Sequence, residues 1–236
     1  MKILGMDSSG LVASVAIVEN DILVAEYTVN HKKTHSQTLL PMLEEVAKMA
    51  ELDLESIDAI AVAAGPGSFT GLRIGVATVK ALGLALDKPV VSVPTCHGLA
   101  FNIWGTDKLV CPILDARRNQ VYTGVYEFID GKLQIVRDQD AMGIDELVEY
   151  LKTLNRKVVF VGDGIPVYGD YIRENMPDSC EFAPAGFNRQ RASSVAAYGL
   201  KLFEEGKFEN ADDHKPIYLR KSQAEREREE QLKKEG

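Results

Sequence analysis

Hydrophobic and polar positions fall into short strand-like runs and longer helical stripes, and the same order of the two occurs twice along the chain. Three runs of strand length open it, at Lys2 to Met6, Leu11 to Glu19 and Ile22 to Val29. Asn20-Asp21, between the last two, is a tight-turn pair that makes them a hairpin. Leu39, Leu43, Val46 and Ala50 recur at helical spacing and predict a helix over about Ser36 to Glu51, in which Pro41 removes one backbone hydrogen bond. Ile57 to Ala64 is almost unbroken apolar, the pattern of a strand buried on both faces of a parallel sheet. A glycine-rich stretch from Gly65 then opens a helix over Gly71 to Leu86, Val90 to Val93 is another strand, and Pro94 opens a helix toward Ile103.

The remainder repeats this order. Leu109 to Asp115, Gln120 to Phe128 and Lys132 to Val136 read as strands, the last entered through Asp130-Gly131. They are followed by a helix over Ile144 to Leu154, a strand over Val158 to Gly162 and a helix over Tyr168 to Asn175. Cys180 to Ala183 is a weak strand, and a last helix spans Ser193 to Glu205, with Ser193 or Ser194 as its cap. Asp7 and Asp115 end the first strand of each half. Two tandem βββαβαβα subdomains facing each other across a cleft make an α/β protein of the actin, Hsp70 and sugar-kinase architecture. The expected organisation is an N-terminal subdomain over 1–104, a C-terminal one over 105–215 whose last helix packs back on the first, and an extended segment with a charged tail over 216–236. Arg226/Glu230, Glu229/Lys233 and Glu230/Lys234 in that tail are i,i+4 pairs, as in a solvated helix or a frayed end.

Charge narrows the function classes. Lys and Arg number 27 against 35 Asp and Glu, a net charge of −8, which argues against a protein that grips nucleic acid alone or lies on an acidic membrane. Cys96, Cys111 and Cys180 form no CxxC pair, so reduced thiols in a cytoplasmic protein are expected. The opening apolar run meets Asp7 too early for a signal peptide, and Ile74 to Leu86 falls short of the ~18 residues of a membrane span.

Chemistry could sit at four places. Asp7-Ser8-Ser9-Gly10 could point hydroxyls and N–H groups at a phosphate while the aspartate holds a metal-bound water, or it could be an ordinary hairpin turn. The loop Gly65 to Gly71 precedes a helix, where unpaired N–H groups favour an anion. It lacks the Gly-Lys-Ser/Thr of a Walker loop, and Thr70 stands where a dinucleotide fingerprint needs its third glycine. His31 and His35 are four apart but flanked by Lys32 and Lys33, which disfavours a metal, and His97 and His214 have no partner by spacing. Finally, the helix Gly71 to Leu86 is apolar almost all round, with Arg73 and Lys80 its only charges, and its neighbour adds Leu39, Leu40, Met42, Leu43 and Met49. Such helices need cover on both sides, from a partner subunit or from the chain's own second half.

Ile3-Leu4-Gly5-Met6-Asp7-Ser8-Ser9, His35-Ser36-Gln37-x-Leu39-Leu40-Pro41, Gly65-Pro66-Gly67-Ser68-Phe69-Thr70-Gly71-Leu72-Arg73-Ile74-Gly75 and Pro216-x-Tyr218-Leu219-Arg220 together resemble the TsaB (YeaZ) family over residues 1 to about 220. The resemblance implies a non-catalytic partner of the complex that makes N6-threonylcarbamoyladenosine at position 37 of ANN-decoding tRNAs. TsaD would be the catalyst and TsaE an ATPase that cycles the complex, with tRNA touched only indirectly. It implies docking to TsaD, or to a second copy as a homodimer, through Leu39, Leu40, Leu43, Val46, Leu72, Arg73, Val76, Val79 and Lys80. Asp7, Ser8, Ser9, Gly67 and Asp115 would mark a degenerate nucleotide cleft, with no cofactor required and ATP or ADP belonging to the shared interface. No metal is implied, because Leu39 stands where TsaD's second metal-binding histidine would be. The competing enzyme readings are a small-molecule kinase or ATPase using Asp7 and Asp115, and a metallopeptidase.

Overall fold

The computed structural model describes residues 1–31 and 34–220, so the charged tail from Lys221 lies outside the described residues. The first half runs β1 (Lys2–Asp7), β2 (Val12–Glu19), β3 (Ile22–Asn30), α1 (His35–Met49), β4 (Ala59–Gly65), α2 (Phe69–Leu86), β5 (Val90–Pro94) and α3 (Thr95–Phe101). The second runs β6 (Leu109–Asp115), β7 (Gln120–Ile129), β8 (Lys132–Gly143), α4 (Ile144–Thr153), β9 (Val158–Val161), α5 (Ile165–Asn175), β10 (Cys180–Phe182) and α6 (Ala192–Glu204). The βββαβαβα order is therefore present twice, and so is the strand arrangement: β3-β2-β1-β4-β5 in one sheet, β8-β7-β6-β9-β10 in the other. In each, a hairpin pairs antiparallel with the first strand, and the next two strands pair parallel on its other side.

Burial follows from that topology. Strands β1, β2 and β4 lie mid-sheet between helical layers, and nearly every residue in them is buried. Leu4, Met6, Val15, Ile60 and Val62 form one core with Leu39, Leu43 and Val46 of α1 and Val79 of α2. On the opposite face Ile3, Ala59, Ala61, Val91 and Val93 pack against Val195, Ala196 and Leu200 of α6. The last helix of the second half thus covers the first sheet. Its backbone comes close because Gly5 and Gly199 lack side chains: a Cβ on Gly5 would overlap the Ala192 carbonyl oxygen, and one on Gly199 would meet the Ala61 methyl.

Three boundaries differ from the pattern in the sequence. β8 continues from Lys132 to Gly143 rather than ending at Val136, because it pairs with β7 along its whole length as an edge strand, where Arg137, Asp138 and Asp140 cost nothing. α5 starts at Ile165, with Pro166 in the first turn, where its missing N–H is harmless. Neither Ser193 nor Ser194 caps α6. Arg191 occupies the cap position without a side-chain bond, and the first N–H groups are satisfied from β2 and β3 instead. Ala192 N donates to Ser14 Oγ at 2.8 Å, while Ser193 N and Oγ donate to Glu26 Oε1 at 3.0 and 2.7 Å. Glu26 also pairs with the Arg191 guanidinium, and these partners outweigh its desolvation and hold its carboxyl below the usual range.

Candidate functional site, a closed cleft and an outward helix face

The segments that follow β1, β4, β6 and β9 meet: Ser9 bonds to the β4–α2 loop, Gly10 approaches the Asp163 carboxylate after β9, and Asp163 bonds to Asp115 at the end of β6. Asp7 ends β1 and is 2 % exposed. Its Oδ1 accepts from Ser9 N at 2.8 Å and Ser9 Oγ at 2.7 Å, yet burial, with Asp163 nearby, pushes its carboxyl up to about 6. Ser8 Oγ donates to the Gly71 carbonyl at 2.9 Å, and Ser68 N donates to the Ser9 carbonyl at 2.7 Å. The β1–β2 turn and the β4–α2 loop are thereby bonded to each other. This contact requires glycine: a Cβ on Gly67 or Gly71 would overlap the Ser9 or Ser8 carbonyl oxygen. Ser68 Oγ caps α2 through Gly71 N at 3.2 Å. The two serine hydroxyls that the sequence offered to a phosphate are thus spent inside the protein, and Gly67 is half-buried beside them.

Asp115, at the end of β6, is exposed; its Oδ1 accepts from Arg117 N at 2.8 Å and from Tyr168 Oη at 3.1 Å. Asp7 and Asp115 are linked through a residue that the sequence reading missed. Asp163 follows β9, accepts from Asp115 N at 3.1 Å, and its carboxyl is raised chiefly by burial. A signal for it was present: Gly162-Asp163-Gly164 follows a buried strand as Gly65-Pro66-Gly67 does, and Gly162 and Gly65 share a positive φ of 120° and 125°. Arg189 and Gln190 were missed as well. Arg189 Nη1 donates to the Gly162 carbonyl at 2.9 Å, and Gln190 is buried against Gly10 with neither amide atom paired.

The histidines serve structure. His35 Nε2 lies 2.8 Å from the Gly10 carbonyl, and His31 is exposed. His97 is packed edge-on against Tyr126 and Tyr198, where burial lowers its pKa. His214 Nδ1 lies 2.9 Å from Ser92 Oγ and 2.8 Å from Glu209 Oε1. Serine, histidine and glutamate here meet at one nitrogen of a fully buried ring, which rules out a relay and instead rivets residues 209–214 to β5. Among the described residues no three His, Cys, Asp or Glu side chains are grouped as metal ligands.

The docking residues expected from sequence need correcting. Leu39, Leu43, Val46, Leu72, Val76 and Val79 are buried in the chain's own core, Leu72 at 1 % exposure. They point at the sheet because α1 and α2 lie flat on it. Lys80 is half-buried, and its Nζ donates to the Asp212 carbonyl at 2.6 Å. Of that set, Leu40 at 53 % and Arg73 face out, joined by Met49 at 74 %, Leu84 at 56 %, Ala77, Ala81 and Ala85. α2 is long and apolar enough to cross a membrane by length and composition, yet only six of its 18 residues are buried. Beside it runs a strap, Pro216 to Arg220: Ile217 N donates to the Ala64 carbonyl at 2.7 Å, and the Tyr218 ring stacks on Phe69 at 4.5 Å.

Comparison with known proteins agrees with this geometry. The family model described as "TsaD: tRNA N6-adenosine threonylcarbamoyltransferase" matches residues 23–228. The tRNA threonylcarbamoyladenosine biosynthesis protein TsaB of Bacillus subtilis is 36 % identical over 95 % of this chain and 96 % of its own length. The TsaB protein of Escherichia coli is 29 % identical over the same shares. Among solved structures, YeaZ from Pseudomonas aeruginosa superposes with a TM-score of 0.76 at 26 % identity, covering 92 % of this chain and 99 % of that one. The fold is that of the actin-like ATPases.

Proposed function

The chain belongs to the TsaB family of tRNA threonylcarbamoyladenosine biosynthesis proteins, and from that membership we propose that it acts as the non-catalytic activating partner of a TsaD catalytic subunit. One observation carries the reading. Helix α2 has no acidic residue, carries Arg73 and Lys80 as its only charges, and leaves Ile74, Ala77, Ala81, Leu84 and Ala85 partly or fully in solvent. An apolar helix face gains by covering, and a subunit of like fold offers a matching helix. The match of this chain to a TsaD family model supports such a pairing of like with like.

The closed cleft supports the absence of catalysis by this chain. Asp7 is buried and held by Ser9, Ser8 is bonded to α2, and the β6–β7 turn carries Arg117-Arg118 where a glycine-rich phosphate turn would leave room. ATP or ADP, where the assembly uses it, is then held with the partner subunits rather than by Asp7 and Asp115.

The test is reconstitution. The chain is mixed with a TsaD subunit, a TsaE ATPase and an unmodified ANN-decoding tRNA transcript, and modified adenosine is measured. The wild type stimulates modification; Ala77→Glu, a charge at an exposed position of α2, abolishes both complex formation and stimulation without unfolding the chain. Stimulation that survives Ala77→Glu would place docking elsewhere.

A further inference from the structure

Of the arginines in the described residues, Arg137, Arg156, Arg173 and Arg191 pair with carboxylates. Arg73, Arg117, Arg118, Arg189 and Arg220 form no ion pair among the described residues. Arg189 faces Asp163 and is spent on backbone carbonyls. The other four make a strip whose continuity is visible bond by bond. Arg73 Nε donates to Tyr218 Oη at 3.2 Å; two residues on, Arg220 Nη1 donates to the Ala116 carbonyl at 3.2 Å; Arg117 and Arg118 follow directly and are exposed. Between the arginines sits the stacked Phe69–Tyr218 pair, with Tyr218 39 % exposed.

We infer that this strip is a direct contact for the phosphate backbone of RNA. The inference rests on the tRNA-modification reading above and adds to it a contact by this chain itself. Unneutralised guanidiniums interleaved with exposed aromatic rings are the side-chain chemistry of single-strand and loop recognition. The β6–β7 turn carries a second mark. Arg117, Arg118 and Asn119 are three successive non-glycine residues at φ 63°, 57° and 56°, where glycine would relax the backbone. Long cationic side chains are held there at the expense of local strain. The single acid of the turn, Asp115, is occupied by Arg117 N and Tyr168 Oη. A chain of net charge −8 repels RNA elsewhere on its surface, so the strip orients a tRNA gripped by the assembly rather than capturing it alone.

The test measures binding of an unmodified ANN-decoding tRNA transcript to the assembly of the full chain with its TsaD and TsaE subunits, by fluorescence polarisation across a salt series. The variants are R117N/R118N, since asparagine accepts the left-handed backbone, and the charge-keeping R117K/R118K. Each lost phosphate contact lowers the slope of log affinity against log salt by about 1. R117N/R118N should therefore flatten it by about 2 and weaken binding roughly tenfold at low salt, whereas R117K/R118K keeps the wild-type slope. Polyglutamate of equal charge should fail to displace the RNA. Wild-type binding without salt dependence, an unchanged slope in R117N/R118N, or displacement by polyglutamate would each overturn the inference, the last in favour of an acidic protein segment. Failure of the activation reading would show separately, as wild-type chain that does not stimulate modification in the reconstituted mixture.

Discussion

Truncating the exposed anchor of the α2 face, Leu84→Ala, should uncouple docking from folding. Fully burying a leucine side chain is worth about 1.5–3 kcal/mol. Leu84 is 56 % exposed, so about half of that gain is still to be had on docking. The truncation then removes about 1 kcal/mol of binding, a Kd weaker by roughly fivefold. Folding should barely change, because a substitution at an exposed position stays within about 0.5 kcal/mol. Titration calorimetry against the TsaD subunit reads the first quantity and urea unfolding of the free chain the second. A Leu84→Ala variant that binds as tightly as wild type, at unchanged stability, would refute the assignment of this face.

Other substitutions separate core from surface. Leu72→Ala, at a residue 1 % exposed, should lower folding stability by about 2–5 kcal/mol in urea unfolding. Asp7→Asn should stabilise the chain at neutral pH. The native carboxyl titrates near 6 against 3.8 in the unfolded chain, so the folded state holds its proton longer and wild-type stability falls as pH rises between those values, by about 3 kcal/mol at most. The variant should lose that slope in unfolding curves from pH 4 to 7, and an unaltered slope would show that Asp7 is not its source. Glu26→Ala should cost about 2–3 kcal/mol at pH 7, by freeing the first turn of α6 and leaving Arg191 unpaired. The stability from Glu26 is present above the ordinary carboxylate range and is lost as pH falls through the depressed native value, so the penalty should shrink in acid.

The duplicated order of elements is carried by local pattern. Runs such as Ile57 to Ala64 and Val158 to Gly162 are too short for helices and too apolar for loops, while Asn20-Asp21 and Asp130-Gly131 mark tight turns. These features depend on neighbours a few residues away, so one sequence suffices to see them. The glycine loop from Gly65 is legible for a different reason: Gly67 and Gly71 are required by the long-range approach of the Ser9 and Ser8 carbonyls, and the residue type itself records that requirement.

What faces what was decided by tertiary structure alone. A helix as apolar as α2 carries almost no rotational signal, so Leu72, Val76 and Val79 were indistinguishable in sequence from Ala77, Ala81 and Leu84 until the sheet selected one side. The cap of α6 could not be found near its own start because Ser14 and Glu26 supply it from about 170 residues away. Asp163 joins Asp7 and Asp115 only once two separate sheets bring their strand ends together, and the four arginines become a strip only when residues 216–220 cross from α2 to the β6–β7 turn. Local propensity sets which elements form. Their facing and their long-range hydrogen bonds come from the one packing that buries both sheets at once.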